Sequence, residues 1–153
     1  MAFKFRLQKI LELKKQKEDV LKKELTDLLN KKKELLHKKN SLAKEKDKNL
    51  YALENNLSTL FIIEEILAYF SFIEVLDKKI EEILEFLKIL EKEIIQAREK
   101  LIQASKEKKV LIKLKEKKEK IYNQLENRRE QKFFDEIAGI RDIAKKRASK
   151  GNL

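Results

Sequence analysis

The feature that most limits what this chain can fold into is a seven-residue repeat from residue 76 to residue 125. One row reads Leu76, Ile83, Leu90, Ala97, Ala104, Leu111, Lys118, Leu125. The other reads Ile80, Leu87, Ile94, Leu101, Lys108, Lys115, Tyr122. Spacings of three and four residues place both rows along one seam of a helix, the pattern of a left-handed coiled coil. Lys, Glu, Gln and Arg fill the positions between. Such a helix cannot bury its stripe alone, so a second helix must pack on it.

The same chain supplies a candidate. Leu7, Ile10, Leu11, Leu13, Val20, Leu21, Leu25, Leu28 and Leu29 mark an apolar stripe, continued by the row Leu29, Leu36, Ala43, Leu50, Leu57. Its companion row, Leu25, Lys32, Lys39, Lys46, Leu53, Leu60, Leu67, is thinned by three lysines. Their stems can cover apolar surface while the ammonium groups stay wet, which predicts a looser seam there. Charged residues make up 42% of the 153, Pro is absent, and the only two glycines are Gly139 and Gly151, a composition of long helices and not of a globule.

Residues 54–60 hold the best turn signal: Asn55 and Asn56 can close a helix, and Ser58 or Thr59 can cap the next. A turn near Ser71 is the alternative. The reading is all-α: one antiparallel two-helix coiled-coil domain over 1–153. Helix 1 is expected over about 3–55, the turn over about 55–59, helix 2 over about 59–147, and a frayed tail over 148–153. The second helix then outruns the first by roughly 30 residues, given the equal rise per residue of paired helices. Gly139 lies in this overhang, costs a helix about 1 kcal/mol relative to Ala, and predicts fraying beyond it.

A formal net charge of +11 suits nucleic acid, an anionic membrane or an acidic protein. Eight lysines between Lys106 and Lys120, beside Leu111, Leu114 and Ile121, form a basic amphipathic stretch that a solvated face would equally explain. It lacks a helix-turn-helix, a zinc ligand set or a stacking platform, which argues against nucleic acid. Cysteine is absent and the sole histidine, His37, sits among lysines and reads as a surface residue. Without a Cys/His cluster, a Ser/His/Asp set or a glycine-rich loop, the sequence predicts no catalysis, no metal, no cofactor and no small-molecule substrate. The N-terminus lacks an apolar h-region and no long uncharged apolar run occurs, so a cytoplasmic protein is expected.

Two stretches remain. Residues 61–76, FIIEEILAYFSFIEVL, are apolar in several directions, which marks a partner site or a tip folded over itself. On the overhang, Leu125, Phe133, Ile137 and Ile140 form a strip rimmed by both charge signs, suited to a groove in another protein or to a second copy.

These stretches carry a resemblance. The start, FKFRLQKILEL from Phe3, the segment Tyr69, Phe72, Ile73, Leu76, Ile80, and above all Glu126–Lys132 (ENRREQK) followed by Asp135, Glu136, Ile137, Ala138 are similar to the flagellar FliJ proteins. The resemblance implies a hairpin like the coiled-coil stalk of rotary ATPase gamma subunits and a non-enzymatic part of the flagellar type III export apparatus. Such a protein binds the centre of the hexameric export ATPase ring, promotes its assembly, contacts the membrane export gate protein and escorts export chaperones. It works peripherally at the cytoplasmic face of the inner membrane. The matching ATPase-binding positions are Arg128, Arg129, Gln131, Lys132, Asp135 and Glu136, joined by Phe133 of the apolar strip. For the gate they are an exposed face at Leu42, Phe72 and Leu76 with the adjoining Ile83, where Lys79 replaces an expected small residue. The alternative function is a basic coiled coil binding nucleic acid or anionic membrane.

Overall fold

The computed structural model describes residues 2–56 and 62–151. It contains two helices, α1 (Gln8–Asn56, 49 residues) and α2 (Ile63–Gly151, 89 residues), with the second longer, and is an antiparallel helical hairpin. Contacts group the chain into two compact units, Gln16–Ala104 and the pair Met1–Lys15 with Ser105–Leu153.

Within Gln16–Ala104 the antiparallel pairing is fixed by two bridges. Lys46 Nζ lies 2.6 Å from Asp77 Oδ1, and Lys32 Nζ lies 3.7 Å from Glu91 Oε1. Fourteen residues separate the two lysines and fourteen the two acids, running in opposite directions: two heptads on each helix. On α2 the seam follows the predicted rows, with Leu76, Ile83, Leu87, Leu90, Ile94, Ala97 and Ala104 buried, and it extends back through Ile73, Tyr69 and Ile66.

On α1 the seam corrects the sequence reading. Glu18, Leu21, Leu25, Leu28, Lys32, Leu35, Lys39, Leu42, Lys46, Asn49 and Leu53 step three and four residues apart, and each is buried or half-buried. The lysine row is therefore the seam. Its true companion is Leu28, Leu35, Leu42, Asn49, one residue before the expected Leu29, Leu36, Ala43, Leu50. Leu29 and Leu36 flank the seam, each 38% exposed. Acids on the edge of α2 receive the heads of Lys32 and Lys46, so those stems can lie in the seam without burying a charge. Half-exposed pairs of this kind contribute about 0–1 kcal/mol each, so their larger effect is on register.

In the other unit the chain does not begin as a helix at residue 3. Residues 3–5 form a non-helical strap that leads through a turn into α1. Gln8 N–H donates to the Phe5 carbonyl (3.1 Å) and Leu11 N–H to the Leu7 carbonyl (2.9 Å). Phe5 is buried, and the Phe3 ring lies 5.5 Å from that of Tyr122. Burying the Phe5 ring and half-burying that of Phe3 offsets the loss of one further helical turn. Lys14 bridges to Glu107 at 2.7 Å. Tyr122 is the last half-buried position of the predicted seam; Lys118 and Leu125, expected in it, are exposed.

Beyond Tyr122 the helix continues to Gly151, past the point where fraying was expected. A Cβ added at Gly139 would meet nothing within 4 Å, so that glycine costs only its backbone entropy. The residues after it, IRDIAKKRASK, are mostly good helix formers, and their cations near the C-terminus oppose the helix dipole. At the other end, Asn55 and Asn56 are the last residues of α1, and 57–59 lie outside the described residues. Ser71 is inside α2, which removes the alternative turn.

Candidate docking surfaces

The overhang is built from the helix outward. Continuing the seam past Tyr122 in steps of three and four gives Leu125, Arg129, Lys132, Glu136, Gly139 and Ile143. That face is charged from Arg129 to Glu136. The apolar residues Phe133, Ile137, Ile140 and Ala144 each stand one residue later, about 100° round the helix for 3.6 residues per turn. A change of face at the end of the pairing means that this stripe does not extend the hairpin. Phe133, Phe134, Ile140 and Ile143 are all exposed, and Ile137 is half-buried.

All seven residues assigned to ATPase binding are exposed on this segment: Arg128, Arg129, Gln131, Lys132, Phe133, Asp135 and Glu136. The helix spreads them round its surface. Arg128, Lys132 and Asp135 share one side at spacings of four and three, while Phe133 starts the apolar stripe opposite. Arg129 leans on Glu126 of its own helix at 3.5 Å, a loose exposed pair. The arrangement offers an apolar ridge with cations and carboxylates within one turn of it, suited to a groove of mixed charge.

The gate-binding set does not form one exposed face. Leu76 is 2% exposed and Ile83 6%; both point into the seam, and Leu42 is half-buried there from the α1 side. These are positions that the heptad rows claim for pairing. Only Phe72 of the four is open. It lines a 450 Å³ hollow with Asn49, Glu65, Ala68 and Tyr69. Around it, Ile62, Ile63, Leu67, Phe70 and Val75 are also exposed, so among the described residues of this stretch no folded-over tip hides the apolar surface.

In the lysine stretch, Lys108 and Lys115 are half-buried in the seam. Lys106, Lys109, Lys113, Lys117 and Lys120 are exposed at spacings of three and four, a single outward row. His37 is exposed. Among the described residues no group of three or more His, Cys, Asp or Glu could hold a metal, and no helix is long and apolar enough to cross a membrane.

Two features escaped the sequence reading. Glu18 occupies a seam position and is only 3% exposed, held by Lys22 Nζ at 2.8 Å. The bond from Lys22 to that carboxylate, and the charge behind it, raise the lysine above its ordinary value of 10.5. The second is a groove of 530 Å³ beside the seam, with Phe86 and Ile89 standing open along it. Its signal in the sequence is two large apolar residues three apart where the heptad calls for solvated ones.

No curated protein and no solved structure matches the chain significantly. The family model described as Flagellar FliJ protein matches residues 3–147, nearly the whole of this helical hairpin with its uncovered C-terminal segment, and the chain therefore belongs to the FliJ family.

Proposed function

We propose that this protein is a non-enzymatic stalk and coupling component of the flagellar type III export apparatus. Family membership supports the coarser statement, a component of flagellar protein export. The observation that carries the finer one is the uncovered helix after Tyr122, whose apolar stripe lies on a different face from the hairpin seam. In this reading the segment from Arg128 to Glu136 docks in the centre of the hexameric export ATPase and promotes ring assembly. Phe133 enters an apolar groove while Arg128, Arg129, Lys132, Asp135 and Glu136 pair with charges round it, and Gln131 adds a hydrogen bond. The exposed surface at Phe72, without Leu76 and Ile83, meets the membrane export gate protein. Export chaperones are a further class of partner, and the site of action is the cytoplasmic face of the inner membrane at the flagellar base.

Stimulation of the cognate export ATPase by the purified protein tests this, with wild type compared against a truncation after Leu125. Stimulation that the truncation removes supports the stalk. A folded wild type that stimulates nothing rejects it.

The outward row of five lysines favours a second reading, binding to nucleic acid or an anionic membrane. That binding would fall steeply with salt and depend on those lysines, whereas ring docking would depend on Phe133.

A further inference from the structure

The groove beside the seam lies wholly within Gln16–Ala104. Its floor is Leu35 and the buried Leu90, and its apolar wall is Phe86 and Ile89, 61% and 57% exposed. On the far side of that wall Glu82 and Glu85 line a second hollow. At the groove itself Glu34 and Glu93 balance Lys31 and Lys38, so the excess of carboxylates comes from Glu82 and Glu85 of the adjoining hollow. This is an acidic-rimmed apolar site on a chain whose formal net charge is +11.

An occupant of matching chemistry is an amphipathic helix with a basic edge, and the same sequence contains one. Phe133, Ile137, Ile140 and Ala144 form a stripe eleven residue steps long, about 16 Å of helix. Glu82 to Glu93 spans the same eleven steps along the groove. Between Lys132 and Lys150 there are six basic and three acidic residues. By helical spacing Arg141 and Lys145 border one side of the stripe, and Glu136 and Arg147 the other.

We infer that the C-terminal helix of a second copy docks in the Phe86–Ile89 groove. The two surfaces are different patches of one molecule, so the contact is heterologous. A pair keeps a groove free on one copy and a C-terminal helix free on the other, and association is open-ended instead of stopping at two. Because Phe133 belongs to both contacts, this self-association competes with docking of the same stripe to any other partner. The inference stands independently of the proposed ring interaction, and its test uses this protein alone.

The test is sedimentation equilibrium from micromolar to millimolar protein, with two full-length variants, Phe86→Asp in the groove and Ile140→Asp on the stripe. Both residues are exposed, so each substitution leaves the seam intact, and circular dichroism checks the helix content. Wild type should gain mass with concentration past the dimer. Each variant alone should associate at least tenfold more weakly. An equimolar mixture should form one-to-one dimers and stop, since only one good groove and one good stripe remain. Ile89→Asp replaces Phe86→Asp if that variant loses helix. A wild type that stays monomeric throughout overturns the inference. So does association that survives Phe86→Asp, or variants whose mixture does not pair.

Discussion

The stretch Gln16–Ala104 and the helix beyond Tyr122 both carry apolar residues at coiled-coil spacing, yet one is paired and the other uncovered. In the first, apolar positions recur where a facing helix exists to receive them, and Leu76, Ile83, Leu90 and Ile94 vanish from the surface. In the second, the same 3.5-residue period recurs one residue out of step, and Phe133 and Ile140 stay open. Periodicity alone thus shows that a helix carries an apolar stripe. The phase of the repeat shows whether the hairpin itself covers that stripe.

Substitutions can sharpen this contrast. The largest expected effect on stability is Leu76→Ala, which empties a fully enclosed site and should cost about 2–5 kcal/mol in chemical denaturation. Phe133→Asp should leave that denaturation within about 0.5 kcal/mol of wild type, as exposed positions do. It should nevertheless reduce ATPase stimulation by at least tenfold. A large loss of stability from Phe133→Asp would show that the overhang is paired after all. Gly139→Ala should raise helix content past residue 139 and stabilise that segment by about 0.4–1 kcal/mol, read by amide exchange. The smallest effect belongs to Lys22. Its raised value in the folded state means that its contribution is complete below pH 10.5 and fades as pH climbs through the raised value. Lys22→Met should flatten stability against pH in that alkaline range only.

Much of this was legible before any coordinates. The α2 seam could be read directly because both of its rows are apolar over four heptads, and the overhang followed from unequal helix lengths. The α1 seam could not be phased from its own residues. Leu28–Leu29, Leu35–Leu36 and Leu42–Ala43 are adjacent pairs, and either member of each fits the period. Both phases share the lysine row, and hydrophobicity barely separates the companions Leu28, Leu35, Leu42, Asn49 and Leu29, Leu36, Ala43, Leu50. The actual phase depends on Asp77 and Glu91 in the other helix, information that no local window of α1 contains. Leu76 and Ile83 fail as surface residues for a related reason: a position cannot serve both the seam and an exposed face. The strap at Phe3–Phe5 was missed although Phe3, Phe5 and Leu7 alternate with Lys4 and Arg6, an extended and not a helical period, while burial of Phe5 is a tertiary effect.

The lysines within the α1 seam also set how the hairpin breathes. Around Lys32, Lys39 and Lys46 each heptad keeps only one apolar seam residue on that strand, so separating the helices there exposes little that water disfavours. Local opening free energies follow buried apolar contact, and the middle of the hairpin should open more often than the stretch around Leu53 and Ile73. Amides of α2 facing those lysines should then exchange with solvent faster than amides two turns closer to the turn. A coiled coil that seems uniform along its length would carry a soft segment at its centre, bounded on the turn side by a firmer one.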